Sequence, residues 1–128
     1  MAPVDPTGQD LKRFMDEDDG GPVTMLNLLR FKPDGGRESY AAYAAAATPY
    51  LQQAEATVVH VAETGAPLVA PDGDTSWDSI LLVRYPSRAA FSQMVADPGY
   101  QQITHLRSEA LEAAVLQPTT AWAAPTPG

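Results

Sequence analysis

A chain of 128 residues with 45% hydrophobic content is long enough for one folded domain and too apolar for wholesale disorder. Its formal net charge of −8 offers no clustered Lys and Arg for nucleic acid or for an anionic membrane surface. The absence of cysteine excludes disulfides, thiolate metal sites, iron–sulfur clusters and cysteine nucleophiles together.

Met1 to Thr7 carries two prolines and little to pack, so a loose segment is expected. It lacks the basic and apolar stretches of a signal peptide. No apolar run approaches the about 20 residues of a membrane span, and a cytoplasmic protein is expected. Leu11, Phe14 and Met15 recur at helical spacing and predict a short helix over Asp10–Asp16. The acidic run Asp16–Asp19 lacks calcium-loop spacing and reads as a solvated loop that ends the helix.

Val23 to Phe31, within "VTMLNLLRFK", predicts a first strand that is apolar on both faces, with the amide of Asn27 set in its middle. After the turn Pro33–Gly36, a helix is predicted over Arg37–Gln53. Tyr40, Tyr43, Ala44, Ala47, Tyr50 and Leu51 share one face of it, and a kink or boundary is expected near Thr48 before Pro49. Ala56–Glu63 predicts a second strand centred on His60. A loop follows over Gly65–Ser76, in which Leu68-Val69 could extend the strand pairing. Trp77–Tyr85 predicts a third strand.

Ser87 is placed to cap a helix that buries Phe91, Met94 and Val95. Asp97-Pro98 opens a second helical stretch with Tyr100, Ile103, Arg107 and Ala110 on one stripe. Val115–Thr119 predicts a short last strand, and the tail that follows has little to pack except Trp122. The organisation is therefore an N-terminal segment with a short helix (1–21), a folded domain (22–119) and a flexible tail (120–128). The order β-α-β-β-α-β makes the fold class α+β, a ferredoxin-like four-stranded antiparallel sheet with helices on one face. Strands apolar on both sides then need a cover for the open face. A second copy stacked sheet to sheet, a symmetric homodimer, is the economical one.

The segments "PVTMLNLLRFKPDGGRESYAAYAAA" and "WDSILLVRYPSRAAFSQMVADPGYQQITHLR", with their spacing, resemble the DUF1330 family. The "NLLRF" strand, the Tyr-x-x-Tyr helix start and the "RYPSRAAF" junction carry the resemblance, which covers about Pro22 to Pro118. It implies a dimeric α/β barrel of ferredoxin-like subunits. It supplies no reaction, although relatives in the wider superfamily include cofactor-independent monooxygenases, isomerases and cyclases.

Six residues are candidates for a site. Asn27 could orient a ligand carbonyl or hydroxyl, or make a structural bond to a neighbouring element. His60 is the one mid-strand group able to act as a base near neutrality, or a satisfied interface histidine. Tyr40 and Tyr43 could donate to a developing oxyanion, or simply pack. Arg107 could bind a carboxylate, or pair internally with Asp78 or Glu63. Trp77 could roof a pocket, or pack at an edge. Arg30, Lys32, Arg84 and Arg88 read as surface charges. Neither histidine has ligand spacing around it, so no metal and no cofactor is expected. The residues would suit a small-molecule enzyme acting on an apolar cyclic or aromatic metabolite, and the resemblance implies a cofactor-independent isomerase, cyclase or monooxygenase. The alternative is a non-catalytic binding protein for a small hydrophobic ligand.

Overall fold

The computed structural model describes residues 4–73 and 76–122. Helix α1 spans Gly8–Asp16, two residues earlier than its apolar spacing suggests. Thr7 sets that start. Its side chain accepts from the Asp10 backbone N–H, and the Asp10 carboxylate accepts from the Thr7 N–H in return. Strand β1 is Val23–Phe31 as expected. Gly35, in the left-handed region at φ 76°, turns the chain into α2, Gly36–Gln53. α2 runs unbroken through Pro49, against the expected boundary at Thr48. Pro49 is exposed, and Thr48 Oγ1 donates to the Ala44 carbonyl at 2.9 Å as the helix continues.

β2 is Thr57–Glu63 and β3 is Ser79–Tyr85. Trp77 and Asp78 thus precede β3 rather than opening it. Leu68 and Val69 add nothing to the sheet; they are fully exposed in the connecting loop, Leu68 at 101%. Ser87 caps α3, Arg88–Ala96, by accepting from the Ala90 N–H. Asp97 caps α4, Pro98–Gln101, and α5 follows over Thr104–Ala110. The stretch expected as one helix is therefore two. β4, Leu111–Thr119, begins four residues before its predicted start, because Ala113 and Ala114 pair with Arg30 and Leu29 of β1. Of the tail, Trp122 is exposed, and residues 123–128 lie outside the described residues, as do 1–3.

The four strands form one antiparallel sheet in the order β2-β3-β1-β4, the ferredoxin-like arrangement. Register decides which face each side chain takes, since directly paired residues share a face. Met25 pairs with Val83, and Asn27 with Leu81 and Leu116; these face the helices. Leu26 pairs with Leu82, and Leu28 with Ile80 and Val115; these form the open face. The buried core lies on the helix side, around Val23, Met25, Phe91, Met94 and Tyr100. α1 joins it through Phe14, whose ring meets Phe91 edge-on at 5.3 Å. Arg88, expected on the surface, is buried there: it donates to the Phe14 carbonyl at 2.9 Å and lies over the Phe14 ring. Among the described residues no helix is long and apolar enough to cross a membrane.

Candidate functional site

Between the sheet and α2 lies a cavity of about 410 Å³. Its walls are mostly apolar, including Met25, Leu81, Val83, Leu116, Phe91 and Val95. It opens towards the edge strand, where Val58 and Val61 are 53% and 61% exposed on the helix side. The small side chains of the α2 alanine run, Ala44 and Ala47, face this space without filling it.

Four of the six sequence candidates meet here. β1 delivers Asn27, α2 delivers Tyr40 and Tyr43 one turn apart, and α5 delivers Arg107. Among the described residues the Asn27 side chain makes one hydrogen bond, a long one of 3.4 Å from Nδ2 to the Met25 carbonyl of its own strand. The Tyr40 and Tyr43 rings lie 5.4 Å apart, and Phe31 backs Tyr40 at 5.6 Å. The Tyr43 hydroxyl shares a 2.6 Å hydrogen bond with the Tyr100 hydroxyl.

Arg107 is only 4% exposed, and its ion pair is not with Asp78 or Glu63. Asp78 accepts from the Phe31 backbone N–H, and Glu63 pairs with Arg37. The partner is Asp5: Arg107 Nη1 lies 2.6 Å from Asp5 Oδ1 and also donates to the Val4 carbonyl. Ser108 Oγ donates to Asp5 Oδ2 at 2.6 Å. The N-terminal segment expected to be loose is thus fastened to α5, because a buried guanidinium needs a counter-charge and Asp5 supplies it.

The other two candidates stand apart from the cavity. His60 pairs with Leu82, which puts it on the open face, exposed and across the sheet from Asn27. Alternation with Val59 and Val61 could not reveal this. A bulge between Val58 and His60 resets the register. Trp77 stacks with the Arg30 guanidinium 5.0 Å from its ring centroid, and does not line the cavity. A single pocket combining Asn27 with His60 and Trp77 is therefore not what the chain builds. Asp5, Tyr85 and Tyr100 line it instead. Tyr100 stood on the Arg107 stripe and was legible there; Asp5, about a hundred residues away in sequence, was not.

Electrostatically the cavity keeps its phenols protonated. Burial, with Tyr43 beside it, raises Tyr40 from its usual 10 to about 12, and the Arg107 charge only partly opposes this. Burial raises Tyr43, Tyr85 and Tyr100 as well. These groups are hydrogen-bond donors at neutral pH, not bases. No three His, Asp or Glu side chains among the described residues gather into a metal-holding group. In the acidic loop, Asp18 and Asp19 accept from the Gly20 and Gly21 N–H groups.

Comparison with solved structures finds the RPA0582 protein of unknown function from Rhodopseudomonas palustris. It is 33% identical, with a TM-score of 0.83, over 93% of this chain and 96% of that one. A dimeric protein of unknown function and ferredoxin-like fold from Bacteroides fragilis NCTC 9343 shares 11% identity at a TM-score of 0.53, over 77% and 95% of the two chains. A protein from Caulobacter crescentus CB15, provisionally named an antibiotic biosynthesis monooxygenase, shares 12% at 0.58, over 85% and 97%. These two likenesses are of fold alone. No curated protein matches. The sequence profile of the domain of unknown function DUF1330 matches residues 35–117, and the chain belongs to that family.

Proposed function

We propose that this chain is a small-molecule enzyme acting without an organic cofactor on an apolar cyclic or aromatic metabolite, as an isomerase, cyclase or monooxygenase. The observation that carries this reading is the convergence of Asn27, Tyr40, Tyr43 and Arg107, from three separate elements, on one largely apolar cavity of about 410 Å³. That volume suits a molecule of one or two rings. A phenol that stays protonated can donate to an oxygen as negative charge develops on it. Asp5 is the one carboxylate lining the cavity among the described residues, and takes the proton-moving role that His60 cannot fill from the far side of the sheet.

The active form in this reading is a homodimer. Leu26, Leu28, Ile80, Leu82 and Val115 share the face turned away from the helices, and a second copy stacked on that face would cover them. The B. fragilis relative in fold is described as dimeric.

One observation favours a second reading, non-catalytic binding of a small hydrophobic ligand: neither histidine lines the cavity. The two readings separate when the full chain is incubated with cyclic and aromatic compounds in deuterated water. Binding would be followed by ligand-observed NMR, proton transfer by deuterium uptake into the compound, and oxygenation by dissolved-oxygen consumption. Deuterium uptake or oxygen consumption that is lost in Asp5→Asn supports the enzyme. A compound that binds and is returned unchanged by both measures refutes it in favour of the carrier.

A further inference from the structure

The polar groups of the cavity are unbalanced in a way that specifies their counterpart. Arg107 Nη1 is occupied by Asp5 and Val4, while the buried Nη2 has no hydrogen-bond partner. The Tyr40 hydroxyl has none among the described residues, and Asn27 Nδ2 has only its long local bond. All three can donate, and the phenol oxygen can accept as well. The one acid at this end, Asp5, already accepts from both Arg107 and Ser108. Of the three, Arg107 Nη2 is the buried one, and leaving it unmet costs free energy that an acceptor oxygen beside it would recover.

Charge decides which kind. Asp5, 2.6 Å from Arg107, cancels the guanidinium locally. A ligand carboxylate would lose its hydration, meet a neutral pair and stand near a second carboxylate. A ketone oxygen has far less hydration to lose, and its two lone pairs match two donors. Resting on the reading of this cavity as a ligand site, we infer that its ligand presents an uncharged carbonyl, or the enol of one, on an apolar ring. Arg107 and Tyr40 hold that oxygen, and Asp5 selects against carboxylates.

Three probes of one ring size test this on the full chain: acetophenone, benzoate and ethylbenzene, titrated by calorimetry. Carbon-13-edited infrared spectroscopy follows the acetophenone carbonyl stretch. Acetophenone binds about tenfold tighter than ethylbenzene, and benzoate binds weakest. The stretch of bound acetophenone falls below its value in alkane, and Tyr40→Phe moves it part of the way back. Asp5→Asn raises benzoate affinity about tenfold. Benzoate binding tighter than acetophenone in the unaltered chain overturns the inference and leaves the ligand cavity standing. So does an alkane-like carbonyl stretch, which needs no Asp5 variant to be observed. Failure of all three probes to bind overturns the ligand-site reading itself, and the inference with it.

Discussion

The Tyr43–Tyr100 hydroxyl pair offers a clean measure of how far water reaches into the cavity. Tyr43→Phe keeps the ring that packs 5.4 Å from Tyr40 and deletes one oxygen of a 2.6 Å hydrogen bond. Two effects follow. A net hydrogen bond is lost, typically about 1 kcal/mol, and the surviving Tyr100 hydroxyl is left unpaired in a largely buried position, which costs about 1–3 kcal/mol if it stays dry. Both residues line the cavity, so partial hydration of the survivor should hold the sum to about 1.5 kcal/mol. Tyr100→Phe should cost a similar amount. Tyr43→Phe combined with Tyr100→Phe removes both partners and should cost little more than either single change, a coupling of about 1 kcal/mol. The assay is urea unfolding followed by circular dichroism. With a slope of about 1–3 kcal/mol per molar, each single variant lowers the midpoint by roughly 1 M at an unchanged slope. If the two losses simply add, to within about 0.3 kcal/mol, each hydroxyl is already satisfied by water. The Tyr43–Tyr100 hydrogen bond would then add no net stability.

The raised phenols make stability fall in alkali. Tyr40 is neutral when protonated and holds its proton to about 12 when folded, against 10 when unfolded. Its contribution, on the order of 2 kcal/mol, is therefore complete below pH 10 and lost as pH climbs towards 12; urea midpoints should decline over that window, and less so in Tyr40→Phe. Gly36→Ala would place a Cβ 2.7 Å from the Ala110 carbonyl oxygen and 3.1 Å from Phe31 Cβ, so the junction of α2 with α5 must shift. About 1–3 kcal/mol of stability should be lost in spite of alanine's better helix propensity, read as a lower melting temperature. If the proposed sheet-to-sheet dimer forms, Leu82→Glu puts a charge in the middle of its interface and should halve the mass measured by light scattering, while Gln93→Glu, exposed on α3, should leave it unchanged. Asn27→Leu should leave stability equal or higher and weaken binding of a carbonyl probe several-fold by calorimetry. A loss of more than about 1 kcal/mol in urea would mark the amide as structural instead.

The parts of this fold set by local chemistry were legible in the sequence. Ser87 and Asp97 announce their helices through capping, and β1 announces two-sided burial by its unbroken apolar run. What was not legible is what other segments decide. Ala113 and Ala114 have no strand preference of their own and would suit a helix, yet the free edge of β1 recruits them. His60 alternates correctly with its neighbours, but its face relative to Asn27 depends on the β2–β3 register, which a bulge resets. Asp5 sits between Val4 and Pro6 with no local sign of a partner. Its role exists only because α5 brings a buried guanidinium to it. Periodicity reads one element at a time, and this site is assembled from three elements and a strap.

Asn27 shows what the rest of the core would otherwise conceal. At every other position on the helix side of β1 the chain places an apolar side chain: Val23, Met25, Leu29 and Phe31. A leucine at position 27 would continue that row with no polar atom to satisfy. The amide instead faces a cavity that the α2 alanines leave unfilled, and its only bond is long and within its own strand. Unfilled volume and a weakly bonded amide each cost stability relative to a packed leucine, and they occur at the same place. The proposed ligand would offset both at once: its body fills the volume and its oxygen meets the donors. On the proposed reading, this is why Arg107, Tyr40 and Asn27, from three separate elements, line the same gap.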